Sequence, residues 1–267
     1  MSDYPHGMDA PSPAVLAWAA EAVGDRPPAR VVRPLAGGSH AATHLLATAT
    51  RRMVLRRFPA GDGAAAREAR VLTALDGLGG LVPRLLAADP GAARPATLTT
   101  VLPGRADIRP ADPGAAAVRL ARTLARLHAV PAPGLDAPSV RLPPDLAGEP
   151  PVLTHRDYWS GNVLWTGGAI TGVVDWTSGC LAPRGVDVSW CRLDLVLLHG
   201  RAVADVFLRA YEDAAGVRVA ARWDRWAAEH SRAGVETWVP NYSGLGRDDL
   251  TASVLRARHT AWARRLG

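Results

Sequence analysis

Leu153-Thr154-His155-Arg156-Asp157-Tyr158-Trp159-Ser160-Gly161-Asn162-Val163-Leu164-Trp165 is the stretch on which the reading turns. It fits His-x-Asp-x-x-x-x-Asn, and one of the chain's two asparagines completes it. Thirteen residues after Asn162 stands Asp175, near the end of Ile170-Thr171-Gly172-Val173-Val174-Asp175-Trp176. Asn162–Trp165 and Ala169–Trp176 read as strands joined through Thr166-Gly167-Gly168, a β-hairpin. A hairpin returns the chain toward its start, which predicts Asn162 and Asp175 near one rim. An amide oxygen and a carboxylate held there suit Mg²⁺, a hard ion that prefers oxygen ligands. Asp157 then faces a hydroxyl beside a metal-bound phosphate. Alone, Asp157 would read as a helix cap or a surface carboxylate.

Outward from this segment the pattern changes twice. Ser12-Pro13 before Ala14–Val23 and Gly24 signals a capped helix. Val31–Leu35, Thr43–Thr48 and Arg52–Phe58 are short and apolar or β-branched, as strands are. Ala64–Leu75 repeats apolar residues at helical spacing. Arg84–Ala88 and Ala96–Val101 predict two more strands, and Pro103-Gly104 breaks the chain. Beyond it come a helix at Ala115–Val130, a proline-rich loop from Pro131 to Pro151 and a strand at Val152–His155. Helical patterns at Arg201–Ala215, Val219–Ala233 and Asp249–Leu266 form the tail. The expectation is an α+β fold in two lobes, a small strand-rich one at 1–102 and a mainly helical one at 103–267.

The 267 residues are 48% hydrophobic and 21% charged, a globular composition. All 31 basic residues are arginine. The absence of lysine excludes a Walker A lysine, a Schiff-base lysine and a serine–lysine nucleophile pair. The net charge is +6, but the arginines are scattered, with no basic block interleaved with aromatics. The charge therefore reads as a solubility and field effect, with no nucleic-acid partner, and counts mildly against a strongly cationic substrate. Cys180 and Cys191 have no zinc spacing and read as free thiols. No signal segment or apolar run of membrane length is present, so the expected location is cytoplasmic, with no membrane partner. A monomer or weak dimer is expected.

With these motifs in order from Val31 to Asp194, the chain resembles the aminoglycoside phosphotransferase family, protein-kinase-like kinases of small molecules. The resemblance implies a protein-kinase-like fold, with an N-terminal nucleotide-binding lobe and a C-terminal catalytic and substrate-binding lobe. It implies that Asp157 is the catalytic base, that Asn162 and Asp175 hold Mg²⁺, and that ATP or GTP is the phosphate donor. Met53-Val54-Leu55-Arg56 is similar to the kinase strand that carries the phosphate-contacting lysine. Alternation puts Val54, over the adenine, and Arg56, on the phosphates, on one face. Arg57 takes that role if the register shifts by one. Glu68 is the ion-pair partner of Arg56. Gly37, Gly38 and Ser39 fall at the nucleotide loop, where glycines admit close backbone approach to phosphate. Thr99–Pro103, with Thr100 and Leu102, is the linker that meets the adenine edge.

Asp187 matches an aspartate that braces the catalytic loop, and His155 and His128 read as structural. Arg156 stands where the family more usually has glycine. Only eleven residues separate Asp175 from Asp187, too few for a regulated activation segment. The acceptor is a hydroxylated small molecule, an aminoglycoside or other antibiotic, or a metabolite, and a role in resistance, self-protection or metabolism is left open. A polycationic acceptor would need several of Asp194, Asp205, Glu212, Asp213, Glu229, Glu236, Asp248 and Asp249 converging on the cleft, though each alone reads rather as a solvated helix face. The alternative function is a nucleotide-binding pseudokinase or regulatory module without turnover.

Overall fold

The computed structural model describes residues 10–35, 41–132, 134–135, 142 and 144–266. The chain forms two compact units, 1–102 with 173–177, and 103–172 with 178–267. Segment 173–177 belongs to the first unit, where Val173 donates its N–H to the Leu81 carbonyl at 2.8 Å.

In the first unit, α1 (Pro13–Glu21) starts on Ser12, whose hydroxyl accepts from the Val15 N–H. An antiparallel sheet follows: β1 (Arg30–Pro34), β2 (Ala42–Ala47), β3 (Arg52–Arg57), β4 (Leu85–Asp89) and β5 (Ala96–Thr100), in the order β1-β2-β3-β5-β4. Between β3 and β4 lies α2 (Ala64–Leu75). Met53 and Leu55 of β3 are fully buried with Leu46, Leu98 and two alanines of α1. Strand alternation sends Val54 and Arg56 to the opposite face. Phe58 packs on Ala64 and Ala65, fixing the start of α2.

The second unit is mainly helical. It contains β6 (Arg105–Ala106), α3 (Pro113–His128), α4 (Pro144–Ala147), β7 (Pro151–Thr154), β8 (Val163–Thr166), β9 (Ala169–Val173) and β10 (Cys180–Pro183). The strands pair as β6-β8-β9 and β10-β7. After them come α5 (Gly185–His199), α6 (Arg201–Ala215), α7 (Arg222–Ser231), α8 (Val239–Ser243) and α9 (Ala252–Ala263). α5 packs against α6, α7 and α9, and all its residues but Trp190 and His199 are buried. Gly185 opens α5 under the Trp223 indole, so close that a Cβ would lie 2.2 Å from the ring.

Three details depart from the sequence reading. The β8–β9 turn is two residues long, because Gly167 and Gly168 both take positive φ (57° and 77°), the geometry of a type I′ hairpin. β9 ends at Val173, so Asp175 lies past the strand, in the left-handed region at φ 66°. Thr99 and Thr100 belong to β5, as the strand expected at Ala96–Val101 has it, so the linker expected from Thr99 begins only at Val101.

Candidate active site

The first unit builds a cation between two carboxylates. Arg56 is buried on β3 at 8% exposure, and Glu68 on α2 at 2%. Arg56 Nη1 donates to Glu68 Oε1, and Arg56 Nη2 donates to Asp175 Oδ1 at 2.8 Å. Thr97, on β5, donates its hydroxyl to Glu68 Oε2 at 2.7 Å, and Thr177 donates to Asp175 Oδ1 at 2.8 Å. The Arg56 guanidinium also lies over the Phe58 ring, 5.3 Å from its centroid. Burial penalises the cation, but Glu68 and Asp175 more than offset it and hold the Arg56 pKa above its ordinary value. The register selects Arg56, not Arg57, as the partner of Glu68.

The second unit builds the loop that carries Asp157. Asp187, completely buried on α5, accepts the backbone N–H of His155 at 2.7 Å and of Arg156 at 2.6 Å. Its Oδ2 also lies 3.2 Å from His128 Nε2, while His128 Nδ1 is 2.6 Å from the Tyr211 hydroxyl. Asp157 donates its own N–H to His155 Nδ1 at 3.3 Å. Asn162 turns its amide nitrogen to Asp157, 2.9 Å from both the main-chain oxygen and Oδ2. The Asn162 amide oxygen takes no part in these two contacts. Gly161 lets the Trp159 ring lie over the backbone, where a Cβ would come within 2.2 Å of it.

A further carboxylate holds the same loop. Asp194 of α5 accepts from Ser160 N at 3.2 Å, from Ser160 Oγ at 2.9 Å and from the Tyr242 hydroxyl at 3.1 Å. Tyr242, on α8, meets the Trp159 ring edge-on at 5.8 Å. All three hydrogen-bonded residues are buried. Burial pushes the Asp194 carboxyl up to about 6, against the hydrogen bonds it accepts. Neither Ser160 nor Tyr242 carried a local sequence signal for this role. Their partner lies 34 residues from one and 48 from the other.

The structure thus brings together Arg56, Glu68 and Asp175 in one unit, and Asp157 and Asn162 in the other. Val54 is half-buried on β3, opposite Leu45 and Thr99. Thr100 is paired in the sheet, its hydroxyl accepting the Arg84 N–H at 2.9 Å, and Leu102 is half-buried beyond the strand end. Gly37, Gly38 and Ser39 lie outside the described residues. Among the described residues, no group of three or more His, Cys, Asp or Glu could hold a metal. An amide oxygen, as on Asn162, and a carboxylate, as on Asp175, are each the kind of oxygen donor that Mg²⁺ prefers.

The family model of the phosphotransferase enzyme family matches residues 31–147 and 135–228. The chain belongs to this family. As a phosphotransferase it is a kinase of small molecules. Solved structures share its α+β, protein-kinase-like fold at low identity. A thermostable mutant of an aminoglycoside phosphotransferase, in ternary complex with AMP-PNP and hygromycin B, is 15% identical, with TM-score 0.64 over 95% of this chain and 98% of that one. The macrolide 2'-phosphotransferase of Brachybacterium faecium is 20% identical, with TM-score 0.59 over 95% and 97%. A type VIII aminoglycoside-3'-phosphotransferase is 21% identical, with TM-score 0.60 over 77% and 94%. No curated protein matches the chain. No helix among the described residues is long and apolar enough to cross a membrane.

In this phosphotransferase most of the acids expected near an acceptor are already taken. Asp194 is buried under Ser160 and Tyr242. Asp205 is paired with Arg192 at 2.7 Å and with Arg201 at 3.4 Å. Glu212 is held by Arg218, Glu236 by Arg256 and Asp249 by Arg247. Asp213 on α6, Glu229 on α7 and Asp248 in the turn between α8 and α9 are exposed.

Proposed function

We propose that this phosphotransferase moves the γ-phosphate of ATP or GTP to a hydroxyl of a small molecule, with Asp157 as the base. The observation that carries the reading is the Asp157–Asn162 pair, joined at 2.9 Å on a loop that Asp187 holds by two main-chain amides. Asp157 takes the hydroxyl proton as the acceptor oxygen bonds to the γ-phosphorus, and the bond to the nucleoside diphosphate breaks. Arg56, kept charged and oriented by Glu68, grips the donor phosphates. Val54 covers the base, and the backbone at Thr100 and Leu102 meets its edge. Gly37, Gly38 and Ser39 approach the phosphates. Asn162 and Asp175 are the proposed ligands of Mg²⁺, which when bound neutralises phosphate charge. The acceptor is a hydroxylated antibiotic or a related metabolite. The pairing of its acids with arginine weighs against a polycation such as an aminoglycoside.

The test is release of ADP or GDP, with Mg²⁺, across aminoglycosides, macrolides, sugars, choline, homoserine and hydroxylated acids. Acceptor-dependent release supports the reading. Nucleotide binding with no release on any acceptor would leave a nucleotide-binding module without turnover.

A further inference from the structure

Arg156 is a cation set where the backbone favours glycine. Its φ is 64°, in the left-handed region that glycine enters freely and a long side chain enters at a cost. A strained residue of this kind next to a catalytic position points to a use for the side chain. Among the described residues its guanidinium pairs with no carboxylate, and its nearby polar partner is the Cys180 thiol, which burial keeps protonated. Arg156 lines a cavity of about 80 Å³ with Val186 and the rings of Trp190, Trp226 and His230. Trp226 and His230 stack at 5.3 Å, and Trp190 meets His230 edge-on at 5.9 Å. No acidic side chain lines this cavity among the described residues.

Such a site has a definite chemistry. Three aromatic side chains lining a volume of about 80 Å³ favour a flat or ring-shaped group. With no carboxylate paired to it among the described residues, the Arg156 guanidinium can offer its planar fork to a carboxylate or phosphate in the bidentate way. Among the described residues a cationic ligand finds nothing here to neutralise it. Arg156 directly precedes Asp157, so the two Cα atoms are about 3.8 Å apart. We infer that the Arg156–Trp190–Trp226–His230 cavity holds the non-reacting end of the acceptor, a flat ring bearing an anionic group. This inference rests on the phosphotransfer reading above and adds the acceptor's class to it.

Two measurements separate the inference from that reading. The first is calorimetric titration of the full chain, without nucleotide, with 4-hydroxybenzoate, 4-hydroxybenzamide and tyramine. The benzoate binds, and the neutral and cationic analogues bind at least about 10-fold more weakly, the loss expected for one charge-assisted contact. Arg156→Gly, whose backbone suits φ 64° and which therefore folds, removes this preference. Equal binding of the three probes, no binding of the benzoate, or an unchanged preference in Arg156→Gly overturns the inference. The second is turnover on hydroxylated acceptors sorted by charge. Anionic ring acceptors stimulate nucleotide release, and Arg156→Gly raises their KM by about 10-fold, the loss falling on KM rather than kcat. Turnover confined to cationic acceptors, with KM unmoved in Arg156→Gly, overturns the inference and leaves the kinase reading standing. Benzoate binding that depends on Arg156, with no turnover on any acceptor, supports the site and sinks the kinase reading.

Discussion

Arg56 Nη2 lies 2.8 Å from Asp175 Oδ1, two residues separated by 119 positions in sequence, while Nη1 of the same guanidinium serves Glu68. One planar fork therefore orients both carboxylates. A lysine head is a point charge and does not reproduce that geometry. Arg56→Lys should weaken nucleotide binding by about 10-fold, one charge-assisted contact, and lower the melting temperature. Arg56→Met should cost about 3–5 kcal/mol of stability, because it leaves Glu68 buried without a cation. Nucleotide titration and thermal melts of the three proteins decide this. Equal affinity in wild type and Arg56→Lys would show that the second carboxylate contact is idle.

Asp157 is set apart from the braces around it. Its carboxylate faces Asn162, and the loop is held by Asp187 and Asp194 through other residues. Asp157→Asn should therefore fold normally and keep nucleotide affinity. Its turnover should fall by about 10²- to 10⁴-fold, the usual contribution of a general base. Single-turnover phosphorylation compared with nucleotide Kd is the check, and a wild-type rate would remove Asp157 from the mechanism.

Asp187 carries more weight in stability than in chemistry. It accepts two main-chain N–H groups and faces His128 in a site without solvent. Asp187→Ala would leave those donors buried and unsatisfied, at roughly 1–3 kcal/mol each. The expected outcome is a large drop in melting temperature, with amide exchange at His155 and Arg156 rising first. Unchanged protection of those two amides would show that the loop is held elsewhere.

The sequence exposed the parts of the molecule that have a period or a spacing. α2 follows the expected Ala64–Leu75 because one face is apolar and the other polar. Arg56 and Glu68 follow from the likeness of Met53–Arg56 to the kinase strand, with strand alternation setting only the face. α5 has no such signature. It is buried on nearly all sides, so its apolar residues do not alternate with polar ones, and no helix was expected there. The sequence therefore offers Asp194 only as a candidate acceptor-side acid or a solvated helix residue, and not as a brace. Its contacts with Ser160 and Tyr242 arise only when α5 and α8 are packed, information that no local window holds. The strand pattern extends over Asp175 in the sequence, but β9 ends at Val173 and Asp175 takes a left-handed conformation beyond it.

Asp194 and His199 sit on one helix and titrate in opposite senses. Burial raises the Asp194 carboxyl to about 6 from an ordinary 3.8. Burial, then Arg247 and Arg258, lower His199 to about 4 from 6.5. For Asp194 the folded state keeps its proton to higher pH than the unfolded state. Its stabilising contribution is complete below about pH 4 and is lost as pH rises through 6. For His199 the folded state resists protonation. Its contribution is complete above about pH 6.5 and is lost as pH falls through 4. Between pH 4 and 6.5 the two slopes oppose each other. Asp194→Asn removes the first and keeps the network, since its amide oxygen accepts from Ser160 while its nitrogen donates to the Tyr242 oxygen. Stability of that variant should climb more steeply with pH across the window than in wild type. His199→Gln should show the reverse, a flatter or falling profile. Urea unfolding at half-unit steps from pH 4 to 6.5 gives the three curves. Parallel curves would mean that neither group changes its protonation on folding.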